Sequence, residues 1–251
     1  FIATVTLDDG RQVKAHCTNT GSLMGLVSPG RRVYLRYEPP RPKGPPRRTQ
    51  FTWVLARHGR HWVGVDTLLP NRLGYQAAVA GAVTGLRGYA GVRREVPYGE
   101  RSRVDLLLEG PRRGRRHRGR ADTRDCYVEI KNCHLTASTV DEGVAAPRVP
   151  RRHRGEALSD IAIFPDAPTE RGRKHLRDLA NVVAQGHRGV LWVVIQRNDA
   201  HAFAPARGID PDYAETLEQV MRAGVEVYAW ACTVSPQKVS LARPLPVLPH
   251  L

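Results

Sequence analysis

Apolar and polar residues alternate with a period of two near the start of the chain. Phe1, Ala3, Val5 and Leu7 interleave with Ile2, Thr4 and Thr6. Asp8-Asp9-Gly10 then makes a hairpin turn, and Val13, Ala15 and Cys17 resume the alternation. Similar strand-length runs follow at 32–38, 51–57 and 61–66, separated by "NTGS", "SPG" and a proline-rich loop at 39–46. About five strands in so short a stretch predict a small closed barrel over 1–66, and periodicity leaves OB-type and SH3-type barrels equally open. Trp53 and Trp62 fall on these strands, as core residues or as platforms for base stacking.

From residue 67 the pattern changes. "LPNRLGYQAAVAGAV" (69–83) predicts a helix with Leu73, Ala77, Ala80 and Val83 on one side. Strands are expected near 92–98, 103–109 and 126–132. "TERGRKHLRDLANVVAQG" (169–186) is a helix with Thr169 as N-cap, an apolar stripe of Leu176, Leu179, Ala180 and Val183, and Gly186 at its C-terminal end. A strand at 189–196, a helix at 211–223 and a strand at 225–231 complete the series. Helix, three strands, helix, strand, helix, strand describes an α/β (α+β) layer on a mixed sheet over 67–251. Residues near 110–125 and 137–160 lack a period, are rich in Arg, Gly and Pro, and read as insertions.

Two of the strands carry charges. In "CYVEIKN" (126–132), Tyr127, Glu129 and Lys131 share one face, while Val128 and Ile130 share the other. In "SRVDLLLEG" (102–110), Arg103, Asp105 and Leu107 share a face opposite Val104, Leu106 and Leu108. Buried charges cost several kcal/mol each unless compensated. If the two strands pair, Asp105 lies beside Glu129 and Lys131, and a divalent cation between the carboxylates removes the difficulty. Mg²⁺ suits such a site because it takes one or two carboxylates and completes its shell with water and phosphate oxygens. The lysine then orients or activates an attacking water. An E-x-K alone is a weak signal. An E-x-K in mid-strand, after an Asp-bearing strand and a helix, is the pattern of the PD-(D/E)XK nucleases. A buried salt-bridged trio without metal is the structural alternative.

Charge narrows the partners. The net charge is +15, and three acid-free stretches, 41–48, 112–120 and 148–154, hold 14 of the positive charges, which leaves the remainder nearly neutral. Such loops suit a nucleic-acid backbone. They are also what a GC-rich coding bias would leave as solvated insertions, since only five of the 39 basic residues are lysine. Cys17, Cys126, Cys133 and Cys232 have no C-x-x-C spacing and read as free thiols of a cytoplasmic protein. No apolar run is long enough to span a bilayer, so no membrane partner is expected. The chain starts at Phe1 inside an alternating run, which suggests residues upstream.

The stretches "HCTNTGSLMGL" (16–26), "WVGVDTLLPNRL" (62–73), "REVPYGERSRVDLLLEG" (94–110), "CYVEIKNCHL" (126–135), "FPDAPTERGRKHL" (164–176) and "FAPARGIDPDYAETL" (203–217) resemble the sugar fermentation stimulation protein A family, in its order and over nearly the whole chain. The resemblance implies an N-terminal OB-type barrel followed by a PD-(D/E)XK nuclease-like domain, and a DNA-binding protein tied to sugar catabolism as a regulator of maltose use. It implies Asp105, Glu129 and Lys131 as the catalytic set, with Mg²⁺ or Mn²⁺ on Asp105 and Glu129. It also raises a binding role for the turn Asn19, Thr20, Gly21 and Ser22, where Gly21 otherwise supplies a positive φ. Arg103, Arg171, Lys174, His175 and the loop residues Arg112, Arg113, Arg115 and Arg116 are the expected contacts to nucleic acid, with DNA the expected form; Arg171, Lys174 and His175 read equally as a solvated helical face. The first helix lacks the acid that many such nucleases carry, so the expectation is either a weaker metal site or one that borrows Glu100 or Asp166. Gln196, at the end of a buried strand, serves either the site or the backbone.

Overall fold

The computed structural model describes residues 1–99, 102–111, 124–140 and 160–251, with the backbone of 152–153 and 156–157. The first hairpin is β1 (Ile2–Thr6) against β2 (Gln12–His16). β3 (Val33–Tyr37), β4 (Phe51–His58) and β5 (His61–Gly64) follow. The order is β1-β2-β4-β3, and β5 pairs with the far end of β4. Because β4 is long, its first residues pair with β2 and its last with β5. This bends the sheet around a core of Ala15, Cys17, Leu23, Leu26, Trp53, Ala56, Val63 and Val65. Trp53 is a core residue whose indole N–H donates to the Leu55 carbonyl at 2.8 Å. Trp62 instead packs against the neighbouring α/β core, with the Arg57 guanidinium 5.3 Å above its ring.

The second sheet is built from β6 (Gly91–Tyr98), β7 (Ser102–Glu109), β8 (Cys126–Cys133), β12 (Arg188–Ile195), β14 (Glu226–Val234) and β15 (Val239–Leu245), in the order β15-β14-β12-β8-β7-β6. β8, β12 and β14 run parallel, and the outer pairings are antiparallel. "GVLWVVI" is buried on both faces, as a central parallel strand requires. α1 (Leu69–Val79) covers one face, and α2 (Glu170–Ala184) and α3 (Pro211–Arg222) cover the other. Gly74 lets α1 come close: a Cβ there would lie 2.5 Å from the Ile130 side chain.

Three expectations change. α1 stops at Val79 because Gly81 turns the chain at φ 60°, so Ala80 is exposed and the buried face is Pro70, Gly74, Ala77 and Ala78. The inward face of α2 carries His175 and Asp178 besides Leu176 and Leu179. The sequence pattern also misses β15, a two-strand parallel sheet of β11 (Ile161–Phe164) with β13 (Ala202–Pro205), and a two-residue ladder of β9 (Arg152–His153) with β10 (Glu156–Ala157). These strands are short or mixed in character and give no clean period.

The two sheets meet along a bonded seam. Gly64 N–H donates to the Gln196 carbonyl, and the Gln196 amide donates to the Asp66 carbonyl and to Asn132. Gln196 thus joins the two parts. All four cysteines are free and buried, and among the described residues no helix is long and apolar enough to cross a membrane.

Candidate functional site

β7 and β8 pair over only three positions, from Leu106–Val128 to Leu108–Cys126. Beyond Leu106 they splay. Asp105 stands at the point of divergence, and its Oδ2 accepts the hydrogen bond of Ile130 N–H at 2.6 Å. On the other side Glu95 adopts φ 51°, a left-handed conformation that costs a non-glycine residue on the order of 1 kcal/mol. The splay opens a cleft of about 1250 Å³.

Asp105, Glu129 and Lys131 all line that cleft, as the alternation of the two strands predicts. Glu129 is 3% exposed. Its Oε1 accepts from Lys131 Nζ at 2.8 Å and meets His175 Nδ1 from α2. A carboxylate only accepts, so Nδ1 carries the proton, and Lys131, 3.2 Å away, keeps two N–H donors for other partners. Glu129 Oε2 is buried without a hydrogen-bond partner among the described residues. Burial alone would raise the Glu129 carboxyl, but His175 and Lys131 outweigh it and hold it below the usual carboxylate range. Asp105 moves the other way: burial and the adjacent Glu129 push it up to about 6, against the opposing pull of Ile130 N–H, Lys131 and Asn71.

Two carboxylates, one held ionised with an orphaned oxygen and the other forced towards neutrality, fit a divalent cation. Among the described residues no three of His, Cys, Asp and Glu are grouped to hold a metal ion, so an ion on this pair would complete its shell from water and substrate.

The other expected residues separate into groups. Arg103 and Arg171 are exposed and line the cleft, Arg103 bonding the Glu95 carbonyl at 2.9 Å. Lys174 is tied to Ser102 and to Asp178, the latter at 2.8 Å, so it is an ion-pair partner first. His175 is buried against Glu129 and belongs to the acidic centre instead of a phosphate-facing surface. Arg112, Arg113, Arg115, Arg116 and Glu100 lie outside the described residues. Asp166 lines the cleft, but its Oδ2 accepts from Ser22 N–H at 3.1 Å. Asn19, Thr20 and Gly21 line the cleft with it. Gly21 is not at positive φ. Its need is space, since a Cβ would come 2.2 Å from Asp166 Oδ2. Thr169 caps α2 as expected, accepting from Gly172 N–H at 3.0 Å.

Asn71 was not legible in the sequence: it reaches from α1 to donate to Asp105 Oδ1 at 2.6 Å, at the helix that lacks an acid. With Arg72 and Gln76 also on this helix, nothing in the sequence set Asn71 apart.

The architecture is therefore an OB-type unit followed by a mixed α/β domain, with a buried Asp–Glu–Lys cluster where the central strands of the second domain diverge. Residues 1–65 match the SfsA N-terminal OB domain, and residues 68–146 and 153–238 match the sugar fermentation stimulation protein RE domain. The chain belongs to the sugar fermentation stimulation protein family. It is 44% identical to a sugar fermentation stimulation protein homolog of Geobacter sulfurreducens over 99% of this chain and 91% of that one. A homolog from Maricaulis maris is 41% identical over 98% and 91%. Among solved structures it is similar to Pyrococcus furiosus SfsA in complex with Ca²⁺, with TM-score 0.75, 24% identity, and coverage of 99% of this chain and 90% of that one.

Proposed function

We propose that the protein binds nucleic acid in this cleft and hydrolyses a phosphodiester there with Mg²⁺ or Mn²⁺. The observation that carries this reading is the orphaned Glu129 Oε2 beside an Asp105 that burial and repulsion force towards neutrality. A site that only gripped phosphate would gain nothing from two buried carboxylates, which repel it. Asp105 and Glu129 hold the cation, which supplies the positive charge that lets a phosphate approach them. Lys131 keeps its ammonium within reach of the same point and donates to the incoming water or to the developing negative charge. His175 fixes the orientation of Glu129, and Asn71 that of Asp105. Arg103 and Arg171 at the cleft, with the Arg-rich stretch 112–120, attract the backbone. A Ca²⁺ complex of a structural relative is in keeping with an oxygen-lined cation site.

A second reading is a DNA-binding regulator of sugar catabolism on the same scaffold, without turnover. It is favoured by α1, which offers Asn71 where an additional carboxylate would strengthen a metal site. Cleavage of labelled single- and double-stranded DNA and RNA with Mg²⁺ or Mn²⁺, against EDTA and Glu129→Ala, decides between them. Metal-dependent cutting lost in Glu129→Ala is expected; binding without cutting would select the regulator.

A further inference from the structure

A second set of polar groups in the cleft takes no part in the chemistry above. Asn19 and His134 are each 3% exposed, and both line the cleft. Neither Asn19 Nδ2 nor His134 Nε2 has a hydrogen-bond partner among the described residues. Leaving one buried polar group unpaired costs about 1–3 kcal/mol, so two at one place need an explanation. Asp166 completes the set, with Oδ2 3.9 Å from His134 Nε2. Asn19 Oδ1 is already used on Gly21 N–H at 2.8 Å, which leaves its amide nitrogen as the open donor.

We propose that Asn19, His134 and Asp166 form a nucleoside subsite, which takes the uncharged base or sugar of an unpaired nucleotide beside the phosphodiester held at Asp105 and Glu129. This rests on the nucleic-acid reading above. The chemistry of the three groups excludes phosphate from this position: a carboxylate repels it, and Asp166, whose Oδ2 already accepts from Ser22 N–H at 3.1 Å, keeps lone pairs for an N–H or O–H donor of the ligand. The Asn19 amide requires an acceptor. Burial holds the His134 imidazole neutral despite Asp166, so the ring adds a hydrogen-bonding atom and no charge. A neutral group that offers both donors and acceptors is a base edge or a sugar hydroxyl. A paired base turns its edge to its partner and stays in the stack, so a recessed wall reads it only in an unpaired strand or at a free end. His134 follows Lys131 by three residues, roughly 10 Å of extended chain at ~3.3 Å per residue, which places the subsite within the reach of neighbouring nucleotides of one strand.

The test is binding of the full chain, with Ca²⁺ in place of Mg²⁺, to four labelled probes: a short single-stranded DNA, the same sequence as RNA, an abasic DNA strand of equal length, and the duplex. The single strands with bases should bind about tenfold more tightly than the abasic strand. Asn19→Ala removes the donor without adding a charge; His134→Phe preserves ring volume and removes the nitrogens. Each should erase most of the advantage while leaving affinity for the abasic strand unchanged, which separates recognition from a folding defect. A preference for RNA assigns the contact to the 2′-hydroxyl, and equal DNA and RNA affinities assign it to the base. Equal binding of the abasic strand, or equal losses on all probes in both variants, overturns the subsite alone. Failure of every probe to bind overturns the nucleic-acid reading with it.

Discussion

The six-stranded sheet carries two clusters of charge, and they are built on opposite principles. At the starts of β12 and β14, Arg188 makes two parallel bonds of 2.8 Å to Glu226, and Tyr89 and Tyr228 add their hydroxyls to the guanidinium. One cation meets one anion in the bidentate geometry that suits both. The result holds Glu226 below the usual carboxylate range, burial notwithstanding. Where β7 and β8 diverge, two carboxylates share one ammonium, one oxygen is orphaned, and Asp105 is pushed up to about 6. The first cluster is closed and has nothing left to bind. The second is open: with both carboxylates ionised it carries one negative charge more than its lysine balances. Burial of charge therefore does not distinguish structure from function; the balance of charge does.

The comparison is broken most severely at the open cluster. Lys131→Ala should reduce metal-dependent hydrolysis by at least about 100-fold, while affinity for nucleic acid stays nearly constant. Equal losses of binding and turnover, measured on the same probe, would make the lysine a phosphate anchor instead. Residues 112–120 are a charge set with no acid at all, and their deletion should weaken binding to every sequence alike and flatten its salt dependence. An unchanged salt slope would make those arginines solvated decoration.

Opening the closed cluster should produce the reverse pattern. Arg188→Leu leaves Glu226 without its partner, and thermal unfolding should show a loss of about 1–3 kcal/mol, discounted because Glu226 is about a third exposed, with specific activity intact. Asp105→Asn sharpens the contrast through pH. The Asp105 carboxyl is raised from 3.8 to about 6, so the folded state binds that proton more tightly than the unfolded state. The stability this provides is complete below about pH 4 and is lost as pH rises through about 6. Asp105→Asn should thus be more stable than the parent at neutral pH, by on the order of 3 kcal/mol, with the difference vanishing near pH 4. Mg²⁺ should raise the melting temperature of the parent and not that of the variant. The smallest effect belongs to the exposed pair of Asp9 and Arg11 in the first hairpin: Arg11→Ala should leave the melting temperature unchanged.

Much of this was legible along the chain. Alternation in β7 and β8 puts Asp105, Glu129 and Lys131 on one face, because successive side chains of a strand point to opposite sides. The unbroken apolar run of β12 marks the sheet centre, and Thr169 and Gly186 mark the ends of α2. The N-terminal hairpin follows from Asp9-Gly10 between two alternating runs. Other features had no local signal. His175 sits on the same helix as Arg171 and Lys174, and only packing of α2 on β8 separates the residue that touches Glu129 from those that do not.

What the sequence determined by itself is the identity of the charged groups and the faces on which they lie, since strand and helix periodicity are local properties of the backbone. What only the tertiary structure decided is their company. Asn71 arrives from α1 and His175 from α2, and the Asn19–Ser22 turn meets Asp166 across a separation of 144 residues. Spacing along the chain cannot set such contacts, because they depend on how strands diverge and how closely helices approach. The three-pair ladder of β7 and β8 opens the cleft, and Gly74 allows α1 to close on Ile130 behind it.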